Sequence, residues 1–240
     1  MKDINLPPEL GELIGVIIGD GSILYRKRLY RLEISGNAEE GYPYFLKLKR
    51  TIKENFNKEA KIRLKKDKKG KGIVLYVDSK ELVERLMQEF YLKKSPKTFT
   101  ITIPETFIPW QYSKHIIRGI FESDGSLYFS KSKIVGKFPT YPRIEIKTSS
   151  KGLVKQLILL LNNRGFLVQT LESKSDYSTK VYLSGEVMLE KWKTEVGFGS
   201  ERNLSKYLFW KKFGYYIPRS TPEQREILLK SPENPSSKGG

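Results

Sequence analysis

The sequence predicts an α+β fold built from two pseudo-symmetric αββαββα units, and two observations carry that prediction. The first is an internal repeat. Leu13-Ile14-Gly15-Val16-Ile17-Ile18-Gly19-Asp20-Gly21-Ser22-Ile23 returns 104 residues later as Ile117-Arg118-Gly119-Ile120-Phe121-Glu122-Ser123-Asp124-Gly125-Ser126-Leu127. Tyr30-Arg31-Leu32-Glu33-Ile34 is answered by Pro142-Arg143-Ile144-Glu145-Ile146, and Leu75-Tyr76-Val77-Asp78-Ser79 by Val181-Tyr182-Leu183-Ser184-Gly185. A duplicated unit fixes an architecture even where each local signal is weak. The second observation is that apolar periodicity switches between helix and strand spacing in the same order after each motif.

In the first copy an apolar helix stops at Asp20-Gly21. Alternating strands follow near 22–27 and 29–35, then a helix over about 42–57 with Phe45, Leu48, Ile52 and Phe56 at helical spacing. Two further strands flank the basic turn 65–72, and a helix near 79–91 closes the unit. The second copy predicts strands near 126–133 and 141–148, a helix over 150–163, strands near 166–173 and 179–184, and a helix over 185–196. Asp20 and Arg31 are 11 residues apart while Asp124 and Arg143 are 19 apart, so the second copy has the longer first hairpin. The expected organisation is a first repeat at 1–92 and a linker at 93–112 carrying Pro96, Pro104 and Pro109. A second repeat with one or two extra helices (204–230) occupies 113–230, before a flexible Ser/Pro/Gly-rich tail at 231–240.

The 240 residues carry 44 Lys and Arg against 27 Asp and Glu, a net charge of +17 with the single histidine neutral. Such a charge on a globular, aromatic-rich chain calls for a polyanionic partner, and its spread along the chain suits a phosphate track better than an amphipathic membrane helix. Zero cysteines exclude a disulfide framework, a thiolate zinc site and a cysteine nucleophile, and one histidine, His115, excludes a histidine metal cage. No apolar run is long enough to span a membrane and the start MKDINLPPEL has no signal-peptide character, so the expectation is a soluble, intracellular chain located with DNA.

Gly15 and Gly19, like Gly119 and Ser123, lie four apart and share a helix face, where small side chains let another backbone approach closely. Packing those faces together would bring two helix C-termini side by side, each carrying its aspartate, Asp20 or Asp124. Two carboxylates at the negative ends of two helix dipoles repel each other, and divalent cations are the natural remedy. Ligands that are all oxygen, namely the two aspartates with main-chain carbonyls such as those of Gly19 and Ser123, suit Mg2+, with Mn2+ as a substitute. A helix stop needs the glycine, but it does not need an acid beside it twice.

Both segments resemble the motif of the LAGLIDADG homing endonucleases, in the single-chain form with two motifs, over residues of about 10 to 210. The resemblance places the metal-binding acids of the family on Asp20 and Asp124, and its small interface positions on Gly15, Gly19, Gly119 and Ser123. The sixth motif position, Ile18 and Glu122, departs from the namesake letters. The family implies two four-stranded antiparallel sheets, backed by helices, forming a saddle over the DNA major groove. It also implies a basic residue from each half near the scissile phosphate. Lys97, 77 residues after Asp20, and Arg202, 78 after Asp124, occupy comparable places, with Lys94 as a competitor and a basic linker grazing the backbone as the alternative.

Strand alternation assigns the outward faces. Leu32 and Ile34 point to the core, so Arg31, Glu33 and Ser35 point away, as do Arg143, Glu145 and Lys147 in the second copy. Lys61, Arg63 and Lys65 oppose Ile62 and Leu64, Tyr76 opposes Leu75 and Val77, and Lys180 and Tyr182 oppose Val181 and Leu183. Arg26, Arg28, Tyr128, Ser130 and Gln169 complete the expected DNA-contacting set. Arg and Lys can read guanine, Gln adenine and Glu cytosine; a solvated sheet face or phosphate contact is the alternative for each. The resulting expectation is a monomeric, Mg2+-dependent endonuclease that cuts double-stranded DNA at a long, imperfectly palindromic site, leaving 3′ overhangs as the family does. Met1-Lys2 and a C-terminus without His-Asn argue against an intein and for a free-standing, intron-encoded enzyme. The rivals are an RNA maturase or a DNA-binding regulator that uses the same saddle without cutting.

Overall fold

The computed structural model describes residues 6–67, 70–131, 138–173 and 175–231. The first unit runs α1 (Pro8–Ile18), β1 (Gly21–Arg26), β2 (Leu29–Asn37), α2 (Ala38–Phe56), β3 (Lys61–Asp67), β4 (Gly70–Asp78) and α3 (Lys80–Gln88). After a 3-10 turn at Glu105–Phe107 the second unit repeats the order: α4 (Trp110–Asp124), β5 (Gly125–Ser130), β6 (Tyr141–Thr148), α5 (Lys151–Asn162), β7 (Gln169–Ser173), β8 (Ser178–Ser184) and α6 (Glu186–Glu195). Two further helices follow, α7 (Glu201–Phe213) and α8 (Pro222–Lys230). The tail expected to be flexible lies, from residue 232 on, outside the described residues, as do 68–69 of the basic turn and 132–137 of the longer hairpin.

Each unit folds into a four-stranded antiparallel sheet, with strand orders β1-β2-β4-β3 and β5-β6-β8-β7. The register is duplicated along with the sequence: Ile23 pairs with Leu32 and Leu32 with Val77, just as Leu127 pairs with Ile144 and Ile144 with Leu183. These inward residues are nearly inaccessible and pack against helices. Phe45, Leu48, Ile52 and Phe56 of α2 with Leu82, Val83 and Leu86 of α3 cover the first sheet, and Leu153, Leu157 and Leu161 of α5 with Leu189 and Trp192 of α6 cover the second. Serine hydroxyls start three of the helices, with Ser79, Ser150 and Ser200 accepting the backbone N–H of Leu82, Leu153 and Asn203. A separate small core of Phe209, Tyr215 and Tyr216 joins α7 and α8 to the hairpin residues Phe129 and Phe138.

Several boundaries differ from the sequence expectation; α3 ends at Gln88 and not near 91, β5 ends at Ser130 and not near 133, and α7 begins at Glu201 and not 204. Helix α2 begins at Ala38, not near 42, so Pro43 lies inside it. Helix α4 begins at Trp110 within the stretch read as linker, because Pro109 is the residue from which the helix opens. Strand β7 begins at Gln169, not 166, since the buried ring of Phe166 is committed to Trp192.

Helices α1 and α4 hold the two units together through direct backbone contact. A Cβ on Gly15 would lie 2.0 Å from the carbonyl oxygen of Ile116, and one on Gly119 would lie 2.0 Å from that of Glu12. Both obstacles are main chain and cannot rotate away. Buried Glu12 crosses the same interface, accepting Arg118 Nε at 2.8 Å and Lys47 Nζ at 2.8 and 3.0 Å. Gly15→Ala is therefore expected to destabilise the fold by about 2–3 kcal/mol in denaturant titration. The same change at Gly41, inside α2 and with no atom nearer than 3.9 Å to an added Cβ, is expected to stabilise it by about 0.5–1 kcal/mol. Equal effects at the two positions would show that the helices can move apart.

Candidate active site

Because α1 and α4 touch at their glycines, their C-terminal ends arrive together. An added Cβ on Gly19 would meet Ser123 Oγ at 2.1 Å and Asp124 Oδ2 at 2.9 Å, so the second carboxylate lies against the end of the first helix. The glycines that follow the acids are fixed in turn: a Cβ on Gly21 would be 2.5 Å from Ile17 Cα, and one on Gly125 2.5 Å from the Phe121 carbonyl oxygen. The chain thus turns into β1 and β5 tightly against the preceding helical turn, with Asp20 and Asp124 at the bends.

Solvent reaches Asp20 freely and Asp124 in part, yet surrounding protein weakens hydration of both. Burial, reinforced by the Asp20 charge and opposed by Lys97, pushes the Asp124 carboxyl up to about 6. Burial also raises Asp20, with Lys97 and Arg202 opposing it. Lys97 is itself buried, and burial brings its ammonium down to about 8 against the pull of Asp124 and Asp20. Its Nζ donates to the carbonyl oxygens of Ile17 (2.9 Å), Ile18 (2.7 Å) and Gly19 (3.4 Å). Lys97 therefore caps the negative end of α1 with a positive charge, meeting carbonyls that a helix terminus leaves open.

Two clefts flank the acid pair. The larger, of about 510 Å³, holds Asp124, Lys97, Gly19 and the second-unit residues Lys147 and Asp176. The smaller, of about 240 Å³, holds Asp20, Arg202, Ser123 and the first-unit residues Ser35 and Asn37. Arg202 shares a cleft with the first aspartate and Lys97 lines that of the second, while the charge of Lys97, seated on the end of α1, acts on both carboxylates. Lys94 is exposed and lines neither cleft. Glu122 also lines the smaller cleft, but it is 7% exposed and its carboxylate accepts Gly199 N–H, Ser200 Oγ and Asn203 Nδ2. His115 packs against Gly11, and burial lowers it to about 4.

The alternation of the strands places the remaining residues on the outer sheet faces, where many are engaged with one another. Arg31 donates to both oxygens of Asp78 (2.6 and 3.0 Å), with Glu33 nearby and its guanidinium 4.7 Å from the centre of the Tyr76 ring. Arg63 stacks over the same ring at 5.9 Å. On the second sheet Glu145 accepts Lys180 at 3.0 Å and Tyr128 Oη at 3.3 Å, and Arg143 donates to Ser130 Oγ at 3.4 Å. Lys147 pairs with Asp176 at 2.5 Å, and both line the Asp124 cleft. Arg26, Ser35, Lys61, Lys65 and Gln169 are exposed, Tyr182 is half-buried, and Arg28 occupies the β1–β2 turn with φ of 67°. Sequence reasoning missed Glu12 as a buried partner, although an acid inside an apolar helix was its visible signal.

The acid pair makes stability depend on pH. The folded-state value of Asp124 lies above its ordinary 3.8, so its contribution to stability is full below that value and lost as pH rises through about 6. In thermal scans without divalent metal, Asp124→Asn is expected to melt roughly 2–4 °C above the parent near pH 7.5 and to match it near pH 4. A variant that melts lower near pH 7.5 would mean that Lys97 already compensates the charge in full.

Residues 11–102 match the family model described as WhiA LAGLIDADG-like domain, and residues 112–208 match that described as LAGLIDADG-like domain. Among curated proteins no sequence matches the chain. Among solved structures, the homing endonuclease I-DmoI in complex with DNA and Mn superposes with a TM-score of 0.53 at 18% identity, over 80% of this chain and 98% of the other. I-WcaI bound to its DNA recognition sequence gives 0.55 at 18% identity, over 80% and 82%. The N-terminal LAGLIDADG domain of DUF199/WhiA gives 0.53 at 14% identity, over 81% and 87%. At these identities the likeness concerns the fold. With consecutive LAGLIDADG-type matches on one polypeptide and the repeat visible in sheet register, the chain belongs to the LAGLIDADG family, in its single-chain form with two motifs.

Proposed function

We propose that the chain is a site-specific DNA endonuclease of the homing type, acting as a monomer on a long, imperfectly palindromic duplex and leaving 3′ overhangs. The observation that carries this reading is the pair of aspartates at the converging ends of α1 and α4, with Lys97 in one flanking cleft and Arg202 in the other. Two carboxylates aimed at a polyanion oppose binding unless a divalent cation joins them. The matching WhiA-type domain supports a rival, a DNA-binding regulator that does not cut, and the retained acid pair is what weighs against it.

The donor set fits a hard cation held by few protein ligands. Among the described residues no three His, Cys, Asp or Glu side chains converge as a cage. Asp20 and Asp124, with the carbonyls of Gly19 and Ser123, would hold Mg2+ or Mn2+, leaving other positions to water and phosphate, as Mg2+ prefers. When bound, the ion supplies Lewis-acid chemistry to the phosphodiester and lowers the pKa of a water. Lys97, seated on the end of α1, and Arg202, beside Asp20, place positive charge where phosphoryl oxygens gain negative charge. The outer faces of the two sheets supply the DNA contacts, one from the repeat within 1–92 and one from that within 113–230, joined by 93–112. Exposed Arg26, Lys61, Lys65 and Gln169 are available to phosphates and base edges directly. Arg31 and Lys180 must exchange Asp78 and Glu145 for DNA.

The test is to incubate the purified chain with a randomised duplex pool and Mg2+, and to sequence the new ends. Asp20→Asn and Asp124→Asn are expected to abolish double-strand cleavage while leaving DNA affinity within about tenfold, a change of about 1.4 kcal/mol. Full cleavage by either variant would refute the two-acid mechanism, and binding without cutting by the parent would favour the regulator. The apparent affinity for Mg2+ should fall as pH drops through about 6, where the metal-free Asp124 carboxyl takes up a proton that competes with the cation.

A further inference from the structure

We infer that Glu122 is a positioning residue that serves only one of the two strand cuts, by seating Arg202 beside Asp20; the inference rests on the endonuclease reading above. Glu122 occupies in the second motif the place that Ile18 holds in the first. Both of its oxygens accept hydrogen bonds: Oε1 from the Gly199 N–H at 2.8 Å, and Oε2 from Ser200 Oγ at 2.5 Å and Asn203 Nδ2 at 2.8 Å. The three donors flank Arg202 and form the start of α7, whose N-cap is Ser200. From the other side the fully buried Arg225 donates to the Arg202 carbonyl oxygen at 3.3 Å and to Ser205 Oγ at 3.0 Å. The backbone of Arg202 is therefore clamped between a buried acid on the motif helix and a buried guanidinium on α8. Its side chain lines the cleft of Asp20.

The first half is built differently. Ile18 offers no acceptor on its side chain, and Lys97 seats itself on the carbonyls of Ile17 and Ile18. Loss of Glu122 should therefore release the cation of one cleft and leave the other in place. A buried carboxylate with only a stabilising role would instead weaken both cuts alike.

The experiment uses the full chain and the target it selects, as a duplex with each strand labelled separately, and measures the nicking rate of each strand. Arg202→Met identifies the strand that depends on the Asp20 cleft, and the strand it spares is the reference, because the Lys97 charge acts on both aspartates. Glu122→Ile, which installs the residue of the first motif, is expected to slow the Arg202-dependent strand about tenfold or more and to leave the other within about twofold. The double variant Glu122→Ile, Arg202→Met should be no slower on that strand than Arg202→Met alone, because residues acting through one another are not additive. Asn203→Ala, which removes one donor from the clamp, should show the same strand bias more weakly, and it carries the test should Glu122→Ile fail to fold. Equal slowing of both strands, slowing of the strand that Arg202→Met spares, or additive effects would overturn the inference. A parent chain that nicks neither strand would instead overturn the endonuclease reading, and the inference with it.

Discussion

The contact on which the rest of the structure depends is the meeting of two helix backbones at Gly15 and Gly119. No side chain separates α1 from α4 there, so the axes approach as closely as main chain permits and the two C-termini must end together. From that one constraint follow a core that runs continuously through both units, a shared roof over two sheets, and the juxtaposition of Asp20 and Asp124. Packing of this kind has no tolerance for a methyl group at either glycine, whereas most positions of a helix would welcome one.

The same constraint creates an electrostatic cost. Two carboxylates sit where two helix dipoles already concentrate negative potential, and the carboxyl of Asp124 is raised first by burial and then by the charge of Asp20. The protein offsets part of it with cations drawn from outside the motifs. Lys97 covers the open carbonyls of α1, Arg202 faces Asp20, and deeper in the interface Glu12 is neutralised by Lys47 and Arg118. What remains uncompensated is negative charge that further positive charge at the site would stabilise.

Much of this was legible in the sequence because duplication prints the same pattern twice. The repeat fixed the element order, strand alternation separated Leu32 and Ile34 from Arg31 and Glu33, and four-residue spacing of small residues named the helix faces that touch. Less legible were features decided by which segment crosses which. The nearly equal spacing of Lys97 and Arg202 from their own aspartates showed that they correspond, but not that Lys97 lines the cleft of Asp124 and Arg202 that of Asp20. Alternation likewise identified the outward charges without showing that register sets Arg31 opposite Asp78 and Glu145 within reach of Lys180. Glu12 and Glu122 were visible as acids in apolar helices, yet their partners come from α2, α4 and the start of α7, far away in sequence.

The duplication has also diverged in a direction that bears on function. One half anchors its cation on main-chain carbonyls, which any sequence would offer; the other anchors it through a buried glutamate, a serine and an asparagine, which only particular residues provide. Two sites built by different means need not respond alike to the same DNA distortion, and sheets with different outward residues need not read the same half-site. A fold shared by nucleases and a WhiA-type domain cannot by itself decide between cutting and binding. What favours the proposed cutting over binding alone is local: acids brought together at the end of a helix pair, at a cost to the folded chain, where a binding protein would gain affinity by replacing them with neutral or basic side chains.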